Sequence, residues 1–211
     1  MVLECVLFDC DGVLLDSVPA KTRAFALLVA EYGPEAQKRF VQFHEQHGGV
    51  NRYKKFAWFF ENVLGRPITP QESKKFGERF VAISQQELLN CALIKGAENT
   101  LKSLQGKLPL FVASGAPQAE QQAILAAHNL AQYFDGIYGA PPGKADLLRQ
   151  ILDQHHIQPQ NAIMVGDAFT DLQAANEVGT KFYGVGPLLA GGNYPWAEDL
   201  SSFATYITSQ F

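Results

Sequence analysis

Six side chains spread over four segments could together handle an anion and a divalent cation. Asp9 and Asp11 flank Cys10 in FDCDG, where a short apolar run from Val2 to Phe8 stops. Two carboxylates leaving one strand end suit a divalent cation, because an open α/β sheet places its ligand crevice there. Taken alone, the pair is an ordinary set of turn aspartates. Ser114 in LPLFVASGAP follows an apolar run and precedes Gly115 and a helical segment, so its Oγ and nearby backbone N–H groups can face an anion. Lys144 in PPGKADLL stands at the start of a helical pattern, where a cation opposes the local dipole unless an anion offsets it. Asp167 and Asp171 in IMVGDAFTDLQAA lie directly after another apolar run and one turn into the next helix, which brings further acid toward Asp9 and Asp11.

These residues need elements that bring them to one edge. The run from Val2 to Phe8 reads as a buried parallel strand delivering side chains from its C-terminal end. From Asp16 to Ala92 the period changes. TRAFALLVAEYG, EAQKRFVQFHEQHG, RYKKFAWFFENVLG and PQESKKFGERFVAISQQELLN carry apolar residues at helical spacing, several of them ending in Gly. This stretch reads as a helical insertion forming a separate lobe. After Gly96 helices and strands alternate: helix 97–104, strand 108–113, helix 118–129, strand 136–138, helix 144–155, strand 162–165, helix 172–178 and strand 181–185. Such alternation predicts a parallel α/β sheet. The Gly- and Pro-rich tail from Gly186 to Pro195 and the apolar segment after it are left without an assigned role.

The composition narrows the partners. The chain has 211 residues, 47% hydrophobic and 18% charged, with a net charge of −4. Its seventeen basic residues are scattered and outnumbered by twenty-one acidic ones, which offers no footprint for nucleic acid and favours a small molecule. No apolar run approaches the ~20 residues that span a bilayer, and MVLECVLFDCDG has no signal pattern, so the expected address is the cytoplasm. Cys5, Cys10 and Cys91 lack metal-ligand or redox spacing and are expected to be small buried hydrophobes.

With FDCDG, VASG, Lys144 and GDAFTD in this order, the chain resembles the haloacid dehalogenase superfamily, in particular the group containing phosphoglycolate phosphatase and β-phosphoglucomutase. The resemblance covers nearly the whole chain. It implies a Rossmann-like parallel-sheet core over 1–15 and 93–211 with an inserted helical cap of the C1 type over 16–92. It implies a Mg²⁺-dependent phosphatase acting on a small phosphorylated metabolite. A carboxylate can attack phosphorus only if the repulsion between anions is neutralised, which assigns Asp9 as nucleophile with Mg²⁺ bridging to the phosphate. By the same resemblance Asp9, the backbone carbonyl of Asp11 and Asp167 hold the metal, with Asp171 supporting them. The Asp11 side chain is then general acid and base. Ser114, Gly115 and Lys144 cradle the phosphate.

In the cap, HGGVNRYKKF is similar to the turn and Arg of β-phosphoglucomutase-like caps. Arg52 is therefore a candidate to bind a distal carboxylate or phosphate, against the alternative of an exposed helix arginine. Gly48 and Gly49 shape the turn, and Lys54 and Lys55 are expected on a solvated face. His44, His47, His128, His155 and His156 show no zinc-ligand spacing and are assigned to surface or capping positions. Phe56, Trp58, Phe59 and Phe60 are expected to pack the cap. Lys144 is followed by Ala145 where Pro is usual, Ala168 replaces a hydroxyl residue, and Pro19 and Lys21 stand where relatives often carry Glu and His. These last two weigh against mutase-like positioning. Hydrolysis of a small phosphomonoester is the leading expectation, with a phosphosugar mutase and a non-catalytic binding protein as alternatives. Phosphoglycolate, a sugar phosphate and a nucleotide are all admissible substrates, and the oligomeric state is open.

Overall fold

The computed structural model describes residues 2–210; residues 1 and 211, which the expected core segments include, lie outside it. Six parallel strands form one sheet: β1 (Cys5–Phe8), β2 (Leu110–Pro117), β3 (Gly136–Ala140), β4 (Ala162–Gly166), β5 (Lys181–Val185) and β6 (Trp196–Ala197), in the order β3-β2-β1-β4-β5-β6. Strand β1 is central and fully buried, as its unbroken apolar run CVLF requires. One face of the sheet packs Val6, Phe8, Val112 and Val165 against α5 (Ala97–Leu104) and α9 (Phe203–Gln210). The other packs Leu7, Phe111 and Met164 against α7 (Lys144–Gln154) and α8 (Phe169–Val178). α6 (Gln118–Ala127) links β2 to β3.

The register decides where the chemistry sits. Phe8 pairs with Val112 on one side and Val165 on the other. Parallel strands in that register end at the same edge, so Asp9, Ser114 and Asp167 emerge together.

Some bounds differ from expectation. The first strand starts at Cys5, β2 and β3 run on to Pro117 and Ala140, and α8 begins at Phe169. The tail, unassigned from sequence, completes the core: β6 pairs with β5, and Leu200, Phe203 and Ile207 bury themselves against the sheet.

Residues 18–90 contain α1 (Val18–Leu28), α2 (Pro34–Gln46), α3 (Arg52–Asn62) and α4 (Pro70–Asn90). They bury an aromatic cluster of their own, with Phe25, Phe40, Phe56, Phe59, Phe60, Phe76 and Phe80 at its centre. Each fully buried Phe contributes about 1.5–3 kcal/mol to holding these helices against one another. Trp58 lies outside this centre, stacked on Phe43 at 3.9 Å. Thr69 and Glu72 close a capping box at the start of α4. The chain leaves and re-enters the sheet side through two adjacent crossings, where Asp16 N–H donates to Ala92 O (2.9 Å) and Ile94 N–H to Leu14 O (3.0 Å). Among the described residues no helix is long and apolar enough to cross a membrane.

Candidate active site

Asp9 follows β1 directly, its N–H donating to Val165 O at 2.9 Å, and its side chain is almost wholly buried. Oδ2 lies 3.0 Å from Lys144 Nζ, while Oδ1 is buried without a hydrogen-bond partner. Lys144, at the first position of α7, also pairs with Asp171 Oδ1. The other Asp171 oxygen accepts the Ala168 N–H at 3.0 Å. Both Asp171 oxygens are thus engaged by protein, which suits it to hold Lys144 and the turn after β4. Asp9, Asp167 and Asp171 each bring a carboxylate oxygen within 4.8 Å of the others.

Three carboxylates surround one ammonium, and the titration of the cluster reflects this imbalance. Burial pushes the Asp9 carboxyl up to about 7, against the pull of Lys144 and with Asp171 and Asp11 adding to the rise. Burial, then Asp171 and Asp9, raise Asp167 well above the usual carboxylate range. Burial works to discharge Lys144, but Asp171 and Asp9 hold it protonated above its ordinary value. The excess negative charge is what a divalent cation would neutralise.

Asp11 sits three residues beyond the end of β1 and points to other partners. Its carboxylate accepts from Ser17 Oγ and pairs with Lys21 on α1. Burial tends to raise its pKa, but Lys21 and the Ser17 hydroxyl outweigh it and hold the group below the usual value. Ser114 is fully buried, and its Oγ accepts the Ala116 N–H at 3.1 Å. Gly115 and Ala116, rather than Ser114, line the cleft over Asp9.

That cleft is a cavity of about 70 Å³ between the strand ends and the helices of residues 18–90. Asp9, Asp11 and Asp167 line it from the sheet side, and Lys21, Phe25, His44, Arg52, Lys55 and Phe80 from the helices. The turn before α3 closes it: Thr170 Oγ1 donates to Gly48 O at 2.8 Å and Asn51 Nδ2 to Gly115 O at 3.2 Å. Gly49 adopts φ +73°, the left-handed conformation the turn needs. Asn51 also caps α3, accepting the Tyr53 N–H at 2.9 Å.

A model of the family described as haloacid dehalogenase-like hydrolase matches residues 3–179. The chain belongs to this family. Phosphoglycolate phosphatase of Shigella boydii serotype 4 (strain Sb227) is 28% identical over 219 residues, covering 93% of this chain and 85% of that protein. Its counterpart in Vibrio parahaemolyticus serotype O3:K6 is 25% identical, covering 87% and 83%. Among solved structures, a predicted phosphatase from Clostridium acetobutylicum superposes with a TM-score of 0.80 at 23% identity, covering 99% of this chain and 100% of that one. β-Phosphoglucomutase from Clostridium difficile superposes with a TM-score of 0.82 at 20% identity, covering 99% and 96%. These structural likenesses establish the shared fold.

In this haloacid dehalogenase-like hydrolase the helices contribute groups that the sequence reading placed elsewhere. Arg52 is not an exposed helix arginine: it is 7% exposed, pairs with Glu120 on α6 and lies over the Phe80 ring at 4.7 Å, with Nη1 buried and unpartnered. Lys55, expected on a solvated face, is 3% exposed. Its Nζ donates to His44 Nδ1 at 2.7 Å, and His44 is itself buried rather than on the surface or at a cap. Helix phase explains both corrections. Lys55 follows Arg52 by three residues and precedes Phe59 by four, so all three share the inward face, while Lys54 turns outward. His44 follows the buried Phe40 by four. That spacing was the available signal.

Burial, then Lys55 and Lys21, push the His44 pKa from 6.5 down to about 3. The folded protein therefore binds this proton more weakly than the unfolded chain does. The stability contribution is complete above pH 6.5 and is lost as pH falls toward 3. His44→Gln should flatten this stretch of the stability curve by up to one proton, about 1.4 kcal/mol per pH unit. Urea unfolding of both proteins across the window measures it; parallel curves would show that His44 does not titrate on unfolding.

Proposed function

We propose that this chain is a phosphatase for a small phosphomonoester, with Asp9 as the nucleophile. The observation that carries the reading is Asp9 Oδ1, held out of water without a partner at the floor of a closed cleft. A buried polar atom left open in this way is unfavourable unless a ligand completes it. The donor set fits Mg²⁺: Asp9 and Asp167 offer hard oxygen ligands, the Asp11 backbone carbonyl adds a third, and Asp171 supports them through Lys144. Mg²⁺ bound there would lessen the repulsion between the Asp9 carboxylate and an incoming phosphate.

The chain's own groups then divide the work. Asp9 attacks phosphorus as the P–O bond to the alcohol breaks, and the departing oxygen takes a proton from Asp11, which must first have drawn one from solvent because Lys21 and Ser17 favour its ionised form. Asp11 next removes a proton from water, which attacks the aspartyl phosphate and frees Asp9. Lys144 and the Gly115 N–H hold the phosphate oxygens, Ser114 fixes the turn that presents this N–H through the bond its Oγ accepts from Ala116, and Arg52 Nη1 offers a donor to the far end of the substrate. Phosphate release from an ester panel with Mg²⁺, with EDTA as control, tests the reading. Absence of release, or recovery of an isomeric phosphate ester in place of free phosphate, overturns it.

We read 1–15 and 93–211 as the catalytic core and 16–92 as a cap that moves over it, with hinges near 15–17 and 93–96. Closure depends on Gly115. A Cβ there would fall on the Gly49 carbonyl, a backbone atom with no flexible end to yield. Gly115→Ala should keep the fold but hold the cap off the site, lowering kcat/KM on the order of 10²-fold through misplacement of the cap groups. Unchanged steady-state kinetics would show that the contact is not needed for turnover.

A further inference from the structure

The cations around the cleft are unequally matched. Lys21 is offset by Asp11, Arg52 by Glu120, and Lys144 by Asp9 and Asp171. Lys55 differs. It is 3% exposed, and its neighbours are His44 Nδ1 at 2.7 Å, His44 O at 3.5 Å and the Phe25 ring at 5.4 Å. No carboxylate among the described residues pairs with it. His44 cannot supply the missing charge: accepting from Lys55 at Nδ1 leaves its proton on Nε2, which faces Thr22 Oγ1 at 3.2 Å, so the ring is neutral. A buried ammonium with neutral neighbours is unfavourable until an anion reaches it.

We propose that Lys55, oriented by His44, selects phosphate esters whose leaving group carries a second anionic group, a carboxylate or another phosphate. The inference rests on the phosphatase reading above and narrows its substrate class. Lys55 lines the same cleft as Asp9, Asp11 and Asp167, so one small molecule can meet both the nucleophile and this cation. At about 70 Å³ the cavity admits a leaving group of only a few heavy atoms, since each water-sized position takes about 10–15 Å³. Val18, Phe25 and Phe80 on its wall offer nothing to the hydroxyls of a sugar ring. Its surroundings also leave Lys55 easily discharged. Burial and Lys21 push its pKa down to about 7, against the smaller pull of Asp11 and Asp167. Arg52 Nη1, buried and unpartnered on the same wall, adds a donor, but its charge is already balanced by Glu120.

The test compares ethyl phosphate with 2-phosphoglycolate, similar in size and differing by one carboxylate, and with ethylene glycol bisphosphate as the phosphate arm. Wild type should favour one or both anionic-tailed esters over ethyl phosphate by about 10- to 100-fold in kcat/KM, the scale of a charge-assisted hydrogen bond. The preferred arm identifies the anion. Lys55→Met should remove most of that preference through KM, and Lys55→Arg should restore part of it. His44→Leu, which frees the lysine from its acceptor, should lower the same ratio through KM more than kcat. Turnover of ethyl phosphate reports that each variant is folded. A wild type active on all three esters without preference, or a preference that survives Lys55→Met, overturns the inference and leaves the phosphatase reading standing. Failure of wild type on all three and on p-nitrophenyl phosphate overturns both.

Discussion

Asp9→Asn should lower phosphate release on the order of 10⁴-fold or more, the scale seen when a nucleophile is removed from a preorganised site. The amide keeps the size of the side chain and loses the attacking anion. The fold should not suffer. The Asp9 carboxyl is raised from 3.8 to about 7 in the folded protein, chiefly by burial, so the native state holds this proton more tightly than the unfolded chain. Its contribution to stability is present below pH 3.8 and is lost as pH rises toward 7. Asn never ionises and escapes that loss. In EDTA above neutral pH, Asp9→Asn should therefore melt at or above the wild-type temperature while its phosphate release is near background. Activity close to wild type with Mg²⁺ would sink the covalent mechanism. A lower melting temperature would show that the Lys144 contact matters more to the fold than carboxylate repulsion.

Asp11→Asn should slow turnover by about 10²- to 10⁴-fold, the usual scale for a lost general acid or base. Metal binding should persist, because the proposed ligand is the backbone carbonyl. The side chain's surroundings make the role specific. Lys21 and Ser17 hold the carboxylate below its usual pKa, so at neutral pH it is ready to take a proton from water. To donate to the leaving alcohol it must first take up a proton from solvent, against the pull of Lys21 and Ser17. Isothermal titration with Mg²⁺ beside single-turnover kinetics separates the two functions. Lost metal affinity with the chemistry intact at saturating Mg²⁺ would assign the side chain to the metal instead.

Much of the core, and the gathering of polar side chains at its edge, was legible in the chain. Asp9, Ser114 and Asp167 each follow an apolar run, and an apolar run between helices reads as a buried parallel strand. Strands of one parallel sheet end at the same edge, so their sequels must meet. Lys144 opens the helix after β3, and Asp171 lies in the first turn after β4, which brings both to that edge. These are consequences of short-range pattern and strand direction. The tertiary structure decided the rest. Lys21 meets Asp11, and Arg52 meets Glu120, only because the helices of residues 18–90 pack against the strand ends; no local pattern encodes a partner on another element. Lys55 and His44 carry polar residue types on helix faces whose phase points inward, and residue type outweighed phase in the reading of both. The tail was obscure because β6 has two residues, too few for a period, and it is a strand only because β5 offers an open edge. Sequence thus determined that Asp9, Ser114, Lys144, Asp167 and Asp171 gather at the strand ends. Which charges stay matched across the cleft, and that among the described residues Lys55 is its one cation without a carboxylate partner, depended on packing between elements distant in the chain.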